Sequence, residues 1–367
     1  MWRAVNNNHR FRRITIKIGS NVLTQSDGML DMQRIGALVN QIALLHKADV
    51  EIILVSSGAV ASGRSIVKTK GKLDPVSARQ LFSAVGQARL INHYYELFKT
   101  HGIVCGQVLT TKESLSTREH YLNQRNCMNI MLENKVIPIV NENDTISVTE
   151  LMFTDNDELS GLVAAMMHAQ ALIILSNVDG IYNGHPDNPA SEIIRTIISG
   201  KEHLEQYIQT ERSSFGRGGM LTKTHIAQKV AEEGIPVFIA NGKKEDILTS
   251  LLQKNSTTVC TEFIAANKRA SNMKKWLAHS EGFAKGEIHI NQGAESALID
   301  SKAASLLPIG VTNVSGEFEK DDIVRIINAQ GLRIGLGRIR FDSTKARELT
   351  GQRGNKPLIH YDYLYLE

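Results

Sequence analysis

Between residues 14 and 265, short apolar runs alternate with longer stretches of helical periodicity. Ile14-Thr-Ile-Lys-Ile-Gly-Ser-Asn-Val-Leu23 alternates apolar and polar positions and closes on Gly19-Ser20, which predicts a strand and a tight turn. Ile35, Leu38, Val39, Ile42 and Leu45 recur at helical spacing and predict a helix over Met32 to Lys47. The same two patterns predict strands at 51–58, 102–109, 136–140, 171–180 and 236–242. They predict helices over Ala78 to Lys99, Glu119 to Glu133, Leu159 to Met167 and Leu221 to Glu233. Strands alternating with helices imply a mostly parallel open sheet sandwiched by helices. Several strands end in Gly, Ser, Asn or Asp, at the edge where open α/β sheets gather a ligand site.

The pattern changes after about residue 265. Asn267 to Lys275 is polar and basic and reads as a linker or joining helix. Beyond it, 286–290, 322–327, 332–336 and 358–361 read as short strands, with a helix over Ala294 to Ala304. The implied organisation is a catalytic domain over 12–265, a linker over 266–280 and a small β-rich domain over 281–367.

Composition narrows the class. The 367 residues are 42% hydrophobic and 22% charged, with a net charge of +4, which is ordinary for a soluble globular chain. Cys105, Cys127 and Cys260 show neither a disulfide framework nor a zinc spacing. Met1 to Arg13 lacks the apolar segment of a secretory signal, and no run approaches the length of a membrane span. A cytoplasmic protein without membrane contact is expected.

The densest chemistry lies between Val136 and Gly161. An apolar run ends in Asn141-Glu-Asn-Asp144, and Asp155-Asn-Asp157 precedes a helix that Asp157 or a neighbour would cap. Asn and Asp also make ordinary turns, but two such clusters in one strand–loop–helix unit favour a ligand site. Lys17 is the only charge in an otherwise apolar strand, a costly position unless an anion meets it. Gly58-Ala-Val-Ala-Ser-Gly63-Arg64-Ser65 has the outline of a phosphate loop with Arg where Lys belongs. Arg is not an equivalent replacement, so that reading is rejected, although the Ser57 and Gly58 amides remain candidates for holding an anion. Gly216, Gly218 and Gly219 allow backbone amides to approach a phosphate closely. Lys223 follows in a first helical turn, where the helix dipole disfavours it unless an anion is present.

Taken together, Lys17-Ile-Gly-Ser, Val55-Ser-Ser-Gly-Ala, Ala84-Val-Gly-Gln87, Val140-Asn-Glu-Asn-Asp144, Asp155-Asn-Asp157 and Gly218-Gly-Met-Leu-Thr-Lys223 resemble the amino-acid kinase family, and within it the glutamate 5-kinases. Ser305-Leu-Leu-Pro-Ile-Gly-Val and Gly316-Glu-Phe resemble a PUA domain, which points to the same branch. The resemblance implies ATP-dependent phosphorylation of the γ-carboxylate of L-glutamate with Mg²⁺, as the first step of proline biosynthesis, inhibited by proline. It implies that Ser57, Gly58, Asp144 and Asn156 hold glutamate, with Asp144 on the substrate ammonium. It implies that Lys17 and Lys223 meet the phosphates and that Asp157 orients both lysines. It also implies a nucleotide site of Lys17, Gly19, Ser176, Asn177, Arg217, Gly218, Gly219, Met220, Leu221, Thr222 and Lys223, with the metal ligands left open. Where that family often has Thr-Asp this chain has Ser176-Asn177, and where it often has Thr this chain has Arg217. A homodimer or homotetramer and a glutamyl phosphate reductase partner are likewise implied. The alternative within catalysis is another amino-acid kinase, acting on acetylglutamate or aspartate. An RNA-binding role for the C-terminal domain is disfavoured, because residues 281–367 carry 11 Lys and Arg against 12 Asp and Glu.

Overall fold

The chain begins its sheet with β1 (Arg13–Ile18), which leads through the short α1 (Ser20–Leu23) to α2 (Met32–Lys47). There follow β2 (Glu51–Ser56), α3 (Ala59–Arg64), α4 (Pro75–Lys99), β3 (Val104–Thr110), α5 (Arg118–Glu133), β4 (Val136–Glu142) and α6 (Asn156–Met166). Next come β5 (Ala171–Ser176), β6 (Thr196–Ile198), α7 (Met220–Glu232), β7 (Val237–Asn241), α8 (Ile247–Leu251) and β8 (Cys260–Ile264). The structure, a computed structural model, describes residues 9–115, 117–146, 155–184, 188, 190–198, 219–266, 277, 283–300 and 304–366. The predicted linker over 267–275 and the site residues Arg217 and Gly218 lie outside the described residues.

Strand order in the first sheet is β3-β4-β2-β1-β5-β7-β8-β6, parallel throughout except for the antiparallel β7–β8 pair. After its first residue, β1 is buried along its whole length, as are β2 and β4, so these strands are covered on both faces. β1 lies between β2 and β5, with Ile18 level with Ser56 on one side and Leu175 on the other. The chain reverses its direction of strand addition there, and the carboxyl ends of β1, β2, β4 and β5 open on a common crevice.

Several boundaries differ from the sequence reading: α6 starts at Asn156 rather than Leu159, and β5 ends at Ser176 rather than 180. The tight turn expected after Gly19-Ser20 is one helical turn over residues 20–23, with Val22 and Leu23 buried in the core. Helix α4 starts at Pro75 rather than Ala78, because the Asp74 carboxylate accepts bonds from the Val76 and Ser77 amides, both 3.0 Å, and proline suits the first helical turn.

Backbone contacts group Lys112–Tyr121 with Ala270–Glu367 as a second compact unit. Its sheet runs β10-β9-β11-β12-β13, formed by β9 (Gly286–Ile290), β10 (Val311–Gly316), β11 (Ile323–Ile327), β12 (Arg333–Arg338) and β13 (Leu364–Leu366). Helices α9 (Gln292–Asp300) and α10 (Ser343–Leu349) accompany it, and Ile288, Val324, Ile326, Ile339 and Leu358 fill its core. Residues 358–361 make only a bridge, Leu306 to Ile359, instead of the predicted strand. There the His360 ring accepts from the Asp362 amide and starts a tight turn over Tyr361–Tyr363.

Candidate active site

Lys17 is the penultimate residue of β1, level with Val55 and Ile174 in the neighbouring strands. A central strand gives its ammonium no path to bulk water, and the residue is 4% exposed. The charge is met by Asp157, fully buried in the first turn of α6. Lys17 Nζ lies 2.5 Å from Asp157 Oδ1, and Lys223 Nζ, from the first turn of α7, lies 3.0 Å from Oδ2. Burial pushes the Asp157 carboxyl up, but the two ammonium groups outweigh it and hold the group below the usual carboxylate range. Asp157 thus holds both lysines, one on each of its oxygens.

The helix that carries Asp157 is capped by Asp155, whose Oδ1 accepts from the amides of Asp157 at 2.8 Å and Glu158 at 3.1 Å. Asp155 Oδ2 is buried without a hydrogen bond. Burial first, and then the Asp157 charge, push the Asp155 carboxyl up to about 6. A carboxyl with a raised folded pKa binds its proton more tightly in the native state. The fold therefore loses stability as pH climbs through the interval between about 4 and about 6. Asparagine retains the capping oxygen and never ionises, so Asp155→Asn should stabilise the protein by about 1–3 kcal/mol at pH 8 and by much less at pH 4.5. Thermal melts at the two pH values check this, and equal shifts at both would refute it.

Asn156 ties the loop ends together. Its Nδ2 lies 2.9 Å from Ser57 Oγ, 3.0 Å from Asn141 Oδ1 and 3.3 Å from the Ser56 carbonyl. Asn141 Nδ2 in turn donates to Gln87 Oε1 at 2.8 Å. Asp144, also buried, accepts from Ser83 Oγ at 3.0 Å and pairs with Arg79, which reaches Glu142 Oε2 at 2.8 Å as well. The structure thus gathers Ser57, Asn156 and Asp144 around the ends of β2 and β4. It adds Arg79, Ser83 and Gln87, which sequence reasoning left without a role. The available signal was their i, i+4, i+8 spacing, which places three polar side chains on one face of α4.

The remaining expected residues are placed less uniformly. The amides of Ser57 and Gly19 are taken by the backbone, donating to the carbonyls of Ile18 and Leu175, both at 3.2 Å, which removes the Ser57 amide from the anion-binding role expected of it. Gly58 precedes α3, and the Arg64 guanidinium lies over the Phe82 ring rather than in a phosphate loop. Ser176 closes β5, and its Oγ lies 3.4 Å from Asn177 Oδ1. Gly219 is the N-cap of α7 and brings no side-chain acceptor, so the first amides of that helix face outward toward its N-terminal end. The side chains of Met220 and Leu221 pack on the core beneath α7, which leaves their backbones, and Thr222, for any phosphate contact.

The described residues thus bring two lysines on one buried carboxylate together with Ser57, Asn156 and Asp144 at the ends of β1, β2 and β4. Among the described residues no helix is long and apolar enough to cross a membrane. The profile of the amino acid kinase family matches residues 12–241, and that of the PUA domain matches residues 286–360. A glutamate 5-kinase of Bacteroides thetaiotaomicron is 66% identical over 97% of this chain and 99% of its own length. A glutamate 5-kinase of Chlorobaculum tepidum is 49% identical over 97% of this chain and 98% of its own. Among solved structures, a UMP kinase from Ureaplasma parvum superposes over 70% of this chain and 99% of its own with a TM-score of 0.48 at 18% identity, and the assignment rests on the sequence relatives instead. The chain belongs to the amino-acid kinase family, in the glutamate 5-kinase branch that carries a C-terminal PUA domain, and is a phosphotransferase.

Proposed function

We propose that this chain transfers the γ-phosphoryl group of ATP to the γ-carboxylate of L-glutamate, opening proline biosynthesis under feedback inhibition by proline. The observation that carries the reading is the buried Asp157 carboxylate with a lysine on each oxygen, set beside Ser57, Asn156 and Asp144. The acceptor carboxylate is ionised at neutral pH, so no base is needed. One of its oxygens attacks the γ-phosphorus, the bond to the β–γ bridging oxygen breaks, and ADP leaves with that electron pair. No proton moves.

The protein's task is alignment and neutralisation of two approaching anions. Lys17 and Lys223 hold the transferring group, and Asp157 keeps both ammonium groups aimed at it. Ser57, Gly58 and Asn156 hold glutamate, with Asp144 on its ammonium. Gly19, Ser176, Asn177 and residues 217–223 hold the nucleotide, through backbone amides at the start of α7. Mg²⁺ carried by ATP would neutralise its β- and γ-oxygens. The orphaned Asp155 Oδ2 is the kind of oxygen donor that such an ion or its waters take.

The acyl phosphate product is labile, which favours direct consumption by a glutamyl phosphate reductase. A cytoplasmic homodimer or homotetramer, with a kinase domain over 12–265 and a PUA domain over 281–367, completes the proposal. The test is ADP release from ATP and Mg²⁺ with L-glutamate, N-acetylglutamate, aspartate and carbamate, each with and without L-proline. Turnover is expected with glutamate alone and is suppressed by proline. Turnover with another acceptor would overturn the substrate assignment, and indifference to proline would overturn the regulation.

A further inference from the structure

Three polar residues on one face of α4 hold the polar end of β4. Gln87 accepts from Asn141, Ser83 donates to Asp144, and Arg79 spans Glu142 and Asp144. Glu142 and Asp144 are only 3% and 6% exposed, so two carboxylates two residues apart sit in an environment that tolerates them poorly without counter-charge. One guanidinium nitrogen, Arg79 Nη2, meets both acids, so a single cation supplies the counter-charge to Glu142 Oε2 and Asp144 Oδ1 together. With the Ser83 hydroxyl on one oxygen and Arg79 on the other, the Asp144 carboxylate is fixed in a single orientation.

We propose that Arg79 is the positioning residue that presents Asp144 to the substrate ammonium, and thereby sets the preference for an α-amino dicarboxylate over the same acid without its amino group. The proposal rests on the reading of Asp144 as the ammonium partner. Arg79 acts through Asp144 and Glu142 and needs no contact with substrate.

The test compares the KM of L-glutamate with the inhibition constant of glutarate, which has both carboxylates and no ammonium. Arg79→Gln should raise the KM for glutamate about tenfold or more, the loss expected when a buried charged acceptor loses its donor, and should move the glutarate constant by less than about twofold. Arg79→Lys, which keeps the charge, should recover part of the loss. Asp144→Asn should raise the glutamate KM similarly, and the double variant should be no worse than Asp144→Asn alone, because both changes act through one interaction.

An equal rise for glutamate and glutarate would mean a merely structural role and would sink the proposal. So would additive losses in the double variant, or a lower KM in Arg79→Gln, which would mark the guanidinium as a competitor of the ammonium. A normal glutamate KM in Asp144→Asn would fell the parent reading. A normal KM in Arg79→Gln beside a raised one in Asp144→Asn would fell this proposal alone. If Arg79→Gln fails to fold by thermal melting, Ser83→Ala removes the other bond to Asp144. It should raise the glutamate KM about threefold with glutarate unmoved, and no selective change there would overturn the proposal.

Discussion

Alanine at Lys17 is expected to lower kcat by about three orders of magnitude or more, and alanine at Lys223 to do nearly the same. Each lysine occupies its own oxygen of Asp157, so neither can take over the other's position without abandoning its bond. Removing one leaves a single ammonium on a buried carboxylate that holds two in the intact protein. The lost ammonium is one of the two that, in the proposed reaction, meet the transferring phosphoryl group. One lysine still meets the Asp157 carboxylate, so stability should suffer less than the cost of about 3–5 kcal/mol usual for stranding a buried ion. The check is kcat from ADP release at saturating substrates, alongside a thermal melt showing that the variant is folded. A folded variant with near-normal kcat would remove that lysine from the mechanism.

Much of this site was legible before any coordinates. Lys17 announced itself as the one charge in an apolar strand, and the buried central position explains why an anionic partner was required. Asp155-Asn-Asp157 stood out as a polar cluster at a helix start, although the pattern left open which aspartate capped the helix. The structure gives the cap to Asp155 and frees Asp157 for the lysines.

Arg79 and Ser83 were not legible, and Gln87 was read only as the end of Ala84-Val-Gly-Gln87 with no role, because polar residues at helical spacing ordinarily mark a solvated face. Their partners Glu142, Asp144 and Asn141 lie some 54–63 residues away in sequence, and only the crossing of α4 over the end of β4 brings them together. The fold shows the same division. Long apolar runs located the central strands, while the edge strand β6, three residues long, carries too little pattern to be found. The turn expected after Gly19-Ser20 is there, as one helical turn over Ser20–Leu23.

The α4 stripe depends on how closely that helix is pressed onto α3, and alanine at Gly86 is expected to show it. A Cβ at Gly86 would meet the Ala59 carbonyl oxygen and the Gly63 amide, and one at Gly63 would meet the Phe82 carbonyl oxygen. Each obstacle is backbone, so no rotamer change relieves it and the two helices must separate. Overpacking costs typically about 1–3 kcal/mol, and the rigid obstruction puts Gly86→Ala at the upper end, near 3 kcal/mol. An intrinsic effect opposes this, since glycine to alanine within a helix favours folding by about 1 kcal/mol. The sign of the measured change therefore decides between the two. A net loss of about 2 kcal/mol corresponds to a fall in Tm of roughly 4–8 °C for a domain of this size. Because Arg79, Ser83 and Gln87 ride on α4, the KM for the acidic substrate should rise well above that for ATP. A raised Tm with unchanged KM values would mean that helix propensity wins, that α3 and α4 do not touch at these glycines, and that α4 is not what positions the end of β4.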